Sequence, residues 1–547
     1  MPRPANGQAM APARTHLKLS FLARSPRLRA DGRGICCLRI PRLLLFVVFS
    51  VALLVAGCSQ GADSDPGAVT FLIESMPTNL DPRLGTDAQS ERINSLLFSS
   101  LLERDAQMNV RGDLAERWET PDPLTYVFHL RHDVRFHDGR PLTSADVKFT
   151  FDSILTGAIT TPKAGGFRMV RSVEAPDPYT VIFRLSEPFA SFLWNLARPA
   201  MGIVPAGSGL DFRAHPIGSG PFRFVTAQQD EDVVVERNPN YFGRPPAIER
   251  VHFRIVPEAI VRALELRKGT ADLEMSSLTP DMLSVMREDP AVELTERPGT
   301  NYAYVAINFD DPVLARREAR QALACATDRE SIVRHLFRGL ARLAESVLPP
   351  ESWAYEANVS RYPYDPARAE QLLDAAGFLR RPELGGMRLR LTLKTSTDET
   401  ARLLGAVLQE QWRRAGVDLE LRSLETATFL ADIGRGSFQL YTFRWVGGNN
   451  DPDIFEVFNS QRMPPNGSNR GHYRNPRLDD LLAQARAEPG RERRRQILAA
   501  VQKIVADDLP YLNLWYMDNV SVHRRRIGNV ILEPTGGYDF LTGITLR

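Results

Sequence analysis

A mixed α/β fold is predicted by three observations along this chain of 547 residues. Apolar side chains alternate with polar ones in several short segments, as a strand with one buried face requires. Between those segments run stretches of helical period that carry capping residues at their ends. Neither internal repeats, low complexity nor long linkers interrupt the alternation.

The first element precedes that body. Leu43 to Val55 is a run of 13 residues that only Ser50 interrupts, and it follows Arg39 and Arg42. This is the apolar region of a signal peptide behind a positive flank. A membrane-spanning helix needs about 20 apolar residues, so the run is too short to be a permanent anchor. Leu54-Val55-Ala56-Gly57-Cys58 puts small residues and a cysteine directly after it and resembles a bacterial lipoprotein processing site. Residues 1–57 are therefore expected to be removed, Cys58 to be lipidated, and 58–66 to form a tether.

Processing changes the charge. Residues 1–42 hold nine of the 68 Lys+Arg and one of the 66 Asp+Glu. The remaining 59 basic and 65 acidic residues make the mature chain about six charges negative. An isoelectric point near 8.3 for the whole sequence thus gives no case for a nucleic-acid partner. Of four cysteines, Cys36 and Cys37 precede the cut and Cys58 takes lipid, which leaves Cys325 without an intrachain disulfide partner. Stability must come from burial, and about 490 residues suffice for two or more cores. No second run of spanning length follows Cys58. A soluble body tethered by lipid in the cell envelope is expected, facing the periplasm or the exterior, and Ser59 is compatible with an outer-membrane location.

Within that body, Tyr126, Phe128 and Leu130 alternate with Thr125, Val127 and His129, which predicts a strand. Thr143 followed by Asp146 resembles a capping box opening a helix through Phe149 and Ile154. Leu314, Leu323, Ile332, Val333 and Leu336 predict one helix from about Pro312 to Phe337, with Cys325 packed in it. Asp365-Pro366 reads as an N-cap and first turn, with Gly377 as the stop. Alternation at 389–393 and 417–421 predicts two strands flanking a helix from about Glu399 to Arg414, in which Trp412 is read as core.

Six collinear segments then carry a resemblance. They are Leu114-Ala115-Glu116-Arg117-Trp118 with Leu124 to Arg131 and Val134 to Gly139; Leu142 to Val147; Pro216 to Phe222; Arg237-Asn238-Pro239-Asn240-Tyr241-Phe242; Arg320 to Leu323 with Thr327-Asp328-Arg329; and Tyr364-Asp365-Pro366 through Gly377. Together they resemble the family 5 extracellular solute-binding proteins, the dipeptide and oligopeptide receptors of ABC importers. The resemblance implies a two-lobed periplasmic-binding-protein fold of type II, cluster C, with an extra subdomain in the first lobe. The first lobe would span 67–298, with its subdomain near 100–212, and the second 299–509, with 510–547 returning to the first. Asn301 to Asn308 and Pro510 to Tyr516 are the candidate hinge strands, and closure on a ligand would be a population shift.

The same resemblance places the ligand. Peptide-binding members pair an extended ligand with a short strand, and an aspartate a few residues on neutralises its ammonium. Trp445 and Asp451-Pro452 align Phe443 to Asp453 with that pattern, so the pairing positions fall on Arg444 and Val446 and the aspartate position on Gly448. A buried ammonium without a carboxylate is costly. Either Asp451 or another acid substitutes, or the ligand lacks a free amine. Arg444 offers charge to an anionic group or points to solvent, and Gly447-Gly448, before Asn449, marks either close backbone approach or a turn. Trp445 is the candidate to wall the ligand. Asn79, in Pro77 to Pro82, matches an early loop that reaches the cleft, and the amides around Ser219 in Gly218-Ser219-Gly220 either face a ligand or make a tight bend.

An enzyme is not expected. His129, His132 and His137 match neither common zinc spacing, and no organised nucleophile motif appears. The reading is a monomeric receptor without cofactor or metal that captures peptides and delivers them to the permease subunits of an ABC importer. The alternatives are a receptor for a nickel chelate, haem, sugar or opine, and a sensor or structural lipoprotein of the same fold.

Overall fold

The structure, a computed structural model, describes residues 67–105, 109–198, 201–445 and 453–547. The leader, Cys58 and the tether lie outside the described residues. Among the described residues no helix is long and apolar enough to cross a membrane.

The predicted α/β alternation is present. Among the described residues eleven strands form one sheet, in the order 417–424, 389–396, 440–445, 292–307, 511–524, 273–275, 68–73, 250–255, 232–237 and 222–228, with 341–343 also paired to 511–524. A second, antiparallel sheet of four strands, 115–122, 125–130, 180–185 and 170–177, has its own core between Leu101 and Ile203. Strands Leu389–Ser396 and Val417–Leu424 pair in parallel around helix Glu399–Arg414, whose Trp412 is fully buried and donates from Nε1 to Thr327 Oγ1 at 2.9 Å. The Thr143 N–H donates to Asp146 Oδ2 at 2.8 Å at the start of helix Ser144–Leu155. Asp365 caps helix Pro366–Ala375, accepting from the Arg368 N–H at 2.8 Å, and Gly377 takes φ +81° beyond its end.

The single helix expected from Pro312 to Phe337 is two, Arg317–Cys325 and Arg329–His335. Thr327 turns its hydroxyl back to the Leu323 carbonyl at 2.7 Å, and Asp328 Oδ1 accepts from the Ser331 N–H at 2.9 Å. These short side chains end one helix and cap the next. Cys325 is buried, as predicted.

Two long strands run through the middle of the large sheet, Val292–Ile307 of 16 residues and Tyr511–Arg524 of 14. Val292 to Arg297 pair with 519–524, and Asn301 to Ala306 with 511–517. The register breaks between, at Pro298-Gly299. Proline cannot donate to the ladder there, and a Cβ on Gly299 would overlap the Met517 carbonyl and lie 3.2 Å from Asn519 Nδ2. One half of the sheet thereby extends through strand 273–275 and the other through strand 440–445.

Glu274 sits in the short strand beside this crossing and has no exposed surface. Ser277 donates to its Oε2 from the backbone at 3.0 Å and from the hydroxyl at 2.6 Å, yet burial pushes the carboxyl up to about 7. The native state therefore holds a proton that the unfolded chain, titrating near 4.5, gives up. The resulting stability is full below about pH 4.5 and is lost as pH rises through 7, by about 3 kcal/mol in all. Glu274→Gln is expected to remove that slope. Urea midpoints of both proteins at pH 5 and pH 8 check it, and an unchanged pH 5 to pH 8 difference in the variant contradicts it.

Candidate functional site

Strand Leu440–Trp445 carries the described part of the predicted ligand segment. On one side it pairs antiparallel with 302–307, Arg444 opposite Ala303 and Trp445 opposite Tyr302. On its other side only Leu440 and Tyr441 are paired, with Leu393 and Lys394. From Thr442 to Trp445 that edge has no strand partner among the described residues. An edge of this kind offers N–H and C=O groups to an added strand.

The Arg444 side chain is exposed, while Trp445 is half-buried. Trp445 stacks over Tyr304 at 6.2 Å and 20°, and the Arg470 guanidinium lies 5.8 Å from the indole centroid. Beneath it Tyr304 stacks on Tyr511 at 4.1 Å, and Tyr302 on Tyr304 at 5.5 Å. Burial holds all three phenols well above their ordinary pKa, so they remain neutral hydrogen-bonding groups. Val446, Gly448, Asn449 and Asp451 lie outside the described residues.

The other two candidates lie in tightly bonded local structure. Asn79 Oδ1 accepts from the Asp81 N–H at 2.9 Å, and its N–H donates to Ser90 Oγ at 3.0 Å. Asp81 in turn holds Arg83 at 2.7 Å in a fully buried pair. Ser219 is fully buried, and the amides on either side of it are in use. Gly218 N–H donates to His137 Nδ1 at 3.2 Å and Gly220 N–H to the Leu97 carbonyl at 3.0 Å. Burial holds His137 down to about 4, so it is neutral, and an Nδ1 that accepts leaves Nε2 to donate to the Gly220 carbonyl at 3.2 Å. The segment is a packed bend. His129 lies beside Glu119 and His132 stacks on Tyr179, so the three histidines face different partners.

Sequence reasoning missed the contacts that join the four-stranded-sheet region to the segment from Asp453 to Arg494. Arg168 Nη2 meets Glu456 Oε1 at 2.5 Å, and Glu456 also lies 3.4 Å from Arg486. Arg486 pairs with Asp453 at 3.0 Å, and its guanidinium lies 5.0 Å from the Phe189 ring and 4.2 Å from Phe455. Its carbonyl accepts from the Ala190 N–H at 2.7 Å, and Arg494 donates to Ser191 Oγ at 2.7 Å. Nothing in the local pattern marks these arginines, because the partners that join the two regions are close to 300 residues away.

A model of the bacterial extracellular solute-binding proteins, family 5 (middle region), matches residues 109–461. The chain belongs to this family. It is 28% identical over 523 residues to the dipeptide-binding protein of Escherichia coli K12, covering 90% of this chain and 96% of that one. It is 30% identical over 530 residues to a probable di/tripeptide-binding protein of Pseudomonas aeruginosa UCBPP-PA14, covering 91% and 98%. The solved oligopeptide-binding protein AppA of Bacillus subtilis, in complex with a nonapeptide, superposes with a TM-score of 0.76 at 25% identity over 88% of this chain and 99% of its own. This family 5 protein thus has the two-lobed type II periplasmic-binding-protein fold and a solute-binding role, as its motifs implied.

Proposed function

We propose that this family 5 protein captures di- to oligopeptides in extended form between its lobes and delivers them to the permease of an ABC importer. The lobes are 67–298 with 510–547, including a subdomain near 100–212, and 299–509. The register break at 297–301 is the hinge. The chain acts as a monomer without covalent chemistry, held in the cell envelope by lipid on Cys58. The observation that carries the peptide reading is the open edge from Thr442 to Trp445 beside an aromatic wall. Backbone pairing there gives affinity with little regard to side chains, and the peptide specificities in the names of its relatives support the same reading.

Residues 59–547, screened by thermal shift against pooled di- to pentapeptides and their N-acetylated forms, test it. A ligand bound only by the closed form stabilises by about 2.7 kcal/mol at a hundred times its dissociation constant. Stabilisation by free peptides is expected. A response only to nickel chelates, haem, sugars or opines would assign the site to a non-peptide solute, and none at all would favour a sensor.

A further inference from the structure

Asn466-Gly467 is the one Asn-Gly pair among the described residues, and it lies in the loop from Arg462 to Arg470. A glycine after an asparagine leaves the next backbone nitrogen uncrowded, because it has no Cβ. The other asparagines of this part of the chain are tied down. Asn459 Oδ1 accepts from the Gln461 N–H at 2.9 Å. Asn469 is buried and makes three bonds, donating to the Asn459 carbonyl at 3.1 Å and the Tyr473 carbonyl at 2.8 Å and accepting from the Tyr473 N–H at 3.0 Å. Asn475 Oδ1 accepts from the Leu478 N–H at 3.1 Å, and its Nδ2 donates to Asp508 at 2.8 Å. Asn466 is exposed, and neither its side chain nor the Gly467 N–H makes a hydrogen bond among the described residues. Packing requires the glycine, since a Cβ at 467 would lie 2.6 Å from both the Cβ and the carbonyl oxygen of Arg462. The loop is held on either side of the pair. Asn466 N–H donates to the Met463 carbonyl at 2.9 Å and Ser468 N–H to the Glu456 carbonyl at 2.8 Å.

We infer that Asn466 is a self-modification site of the folded protein, where the free side chain is converted to aspartate or isoaspartate by the backbone nitrogen of Gly467. That nitrogen gives its proton to solvent base and attacks Asn466 Cγ. The new C–N bond closes a cyclic imide, and the Cγ–Nδ2 bond breaks with release of ammonia. Water then opens the imide at either carbonyl, leaving aspartate in one case and isoaspartate in the other. Both products put a carboxylate where a neutral amide stood. Isoaspartate also lengthens the main chain by one carbon between the Met463 and Glu456 bonds, so the Ser468 N–H no longer reaches its acceptor without strain. The Glu456 side chain is the one that meets Arg168 of the four-stranded-sheet region. The modification therefore falls on the support of a contact between two regions of the molecule.

The test keeps residues 59–547 at pH 8 and at pH 5 for days and follows the tryptic peptide Met463–Arg470 by mass spectrometry, with the same synthetic peptide aged alongside. At pH 8 a gain of about 1 Da on Asn466 is expected, split between two chromatographic products, at a rate within about tenfold of the synthetic peptide. At pH 5 the gain should be far slower, because less of the nitrogen is deprotonated. Asn469 in the same peptide is the internal control and should stay unchanged in the folded protein. Asn466→Ser should abolish the gain. Asn466→Asp carries the charge without the extra carbon, and hydrogen exchange compares it with the isoaspartate fraction. The Ser468 amide should keep its protection in that variant and exchange about tenfold faster in the isoaspartate form. An Asn466 that ages about a hundredfold slower in the folded protein than in the peptide, or no faster than Asn469, would mean that the loop keeps side chain and nitrogen apart, which overturns the proposal. An unchanged Ser468 amide in the isoaspartate form would overturn the effect on the Glu456 support.

Discussion

Gly218→Ala is expected to destabilise the protein by about 3 kcal/mol or more while leaving its choice of ligand unchanged. A Cβ at 218 would lie 2.7 Å from the Leu97 carbonyl carbon and closer still to its oxygen, and 2.9 Å from the Phe98 ring. Leu97 ends helix Ala88–Leu97 and is fully buried, so neither backbone has room to retreat. Gly220 stands against the same carbonyl, where a Cβ would lie 2.6 Å from the Leu97 carbon. The bend is also tied down by His137 N–H donating to the Gly218 carbonyl at 2.8 Å and by Asn238 Nδ2 donating to the Gly220 carbonyl at 2.9 Å. Ser219→Ala removes only a buried hydroxyl that makes no hydrogen bond and is expected to shift stability by less than about 0.5 kcal/mol. Urea denaturation of the ligand-free proteins, with titration of one bound peptide, separates the readings. A stable Gly218→Ala protein that no longer binds would mean that this segment presents its amides to the ligand.

The same segment shows what was legible in the sequence. Period-two alternation found strands 125–130, 389–396 and 417–424, because each lays its apolar face on a core and carries polar side chains on the other. Caps found the starts of helices 144–155 and 366–375, because their bonds are local. The length of the central strands was not legible. Pro298-Gly299 reads as a breaker, and the fold uses it as an irregularity inside one 16-residue strand whose partner is supplied more than 200 residues later. The break at Thr327-Asp328 hid for a related reason, since apolar positions on both sides keep a helical period while the hydroxyl and carboxylate stop the helix. At the candidate site, a short strand at Trp445 was expected from the family resemblance, and Leu440–Trp445 is a strand. Arg470 and Arg486 were not, because a charged residue in a loop or on a helix looks alike whether it faces water or an aromatic wall.

Arg486→Ala is expected to weaken solute binding by about thirtyfold, without touching the segment proposed to hold the solute. Arg486 lies in helix Pro476–Ala487, within the proposed second lobe, and its guanidinium is held between Phe455 on that side and Phe189 from the four-stranded-sheet region. Glu456 ties the same cluster to Arg168 across the gap. If the lobes part about the register break at 297–301, the Phe189 and Arg168 contacts exist only in the closed form. Contacts present in one of two states bias the population toward it, and closure that holds the solute inherits the bias as affinity. A largely desolvated cation held over an aromatic ring contributes about 2 kcal/mol, which is the thirtyfold expected. The Ala190 N–H still reaches the backbone carbonyl of residue 486 in the variant, so docking is loosened, not abolished. Arg486→Lys keeps the charge near Asp453 but loses the flat stacking, and should fall between the two. Small-angle scattering of the ligand-free proteins reads the same bias directly: the alanine variant should show the larger radius of gyration and return to the wild-type value when saturated with peptide. An affinity within twofold of wild type, with unchanged scattering, would mean that these contacts persist when the cleft opens.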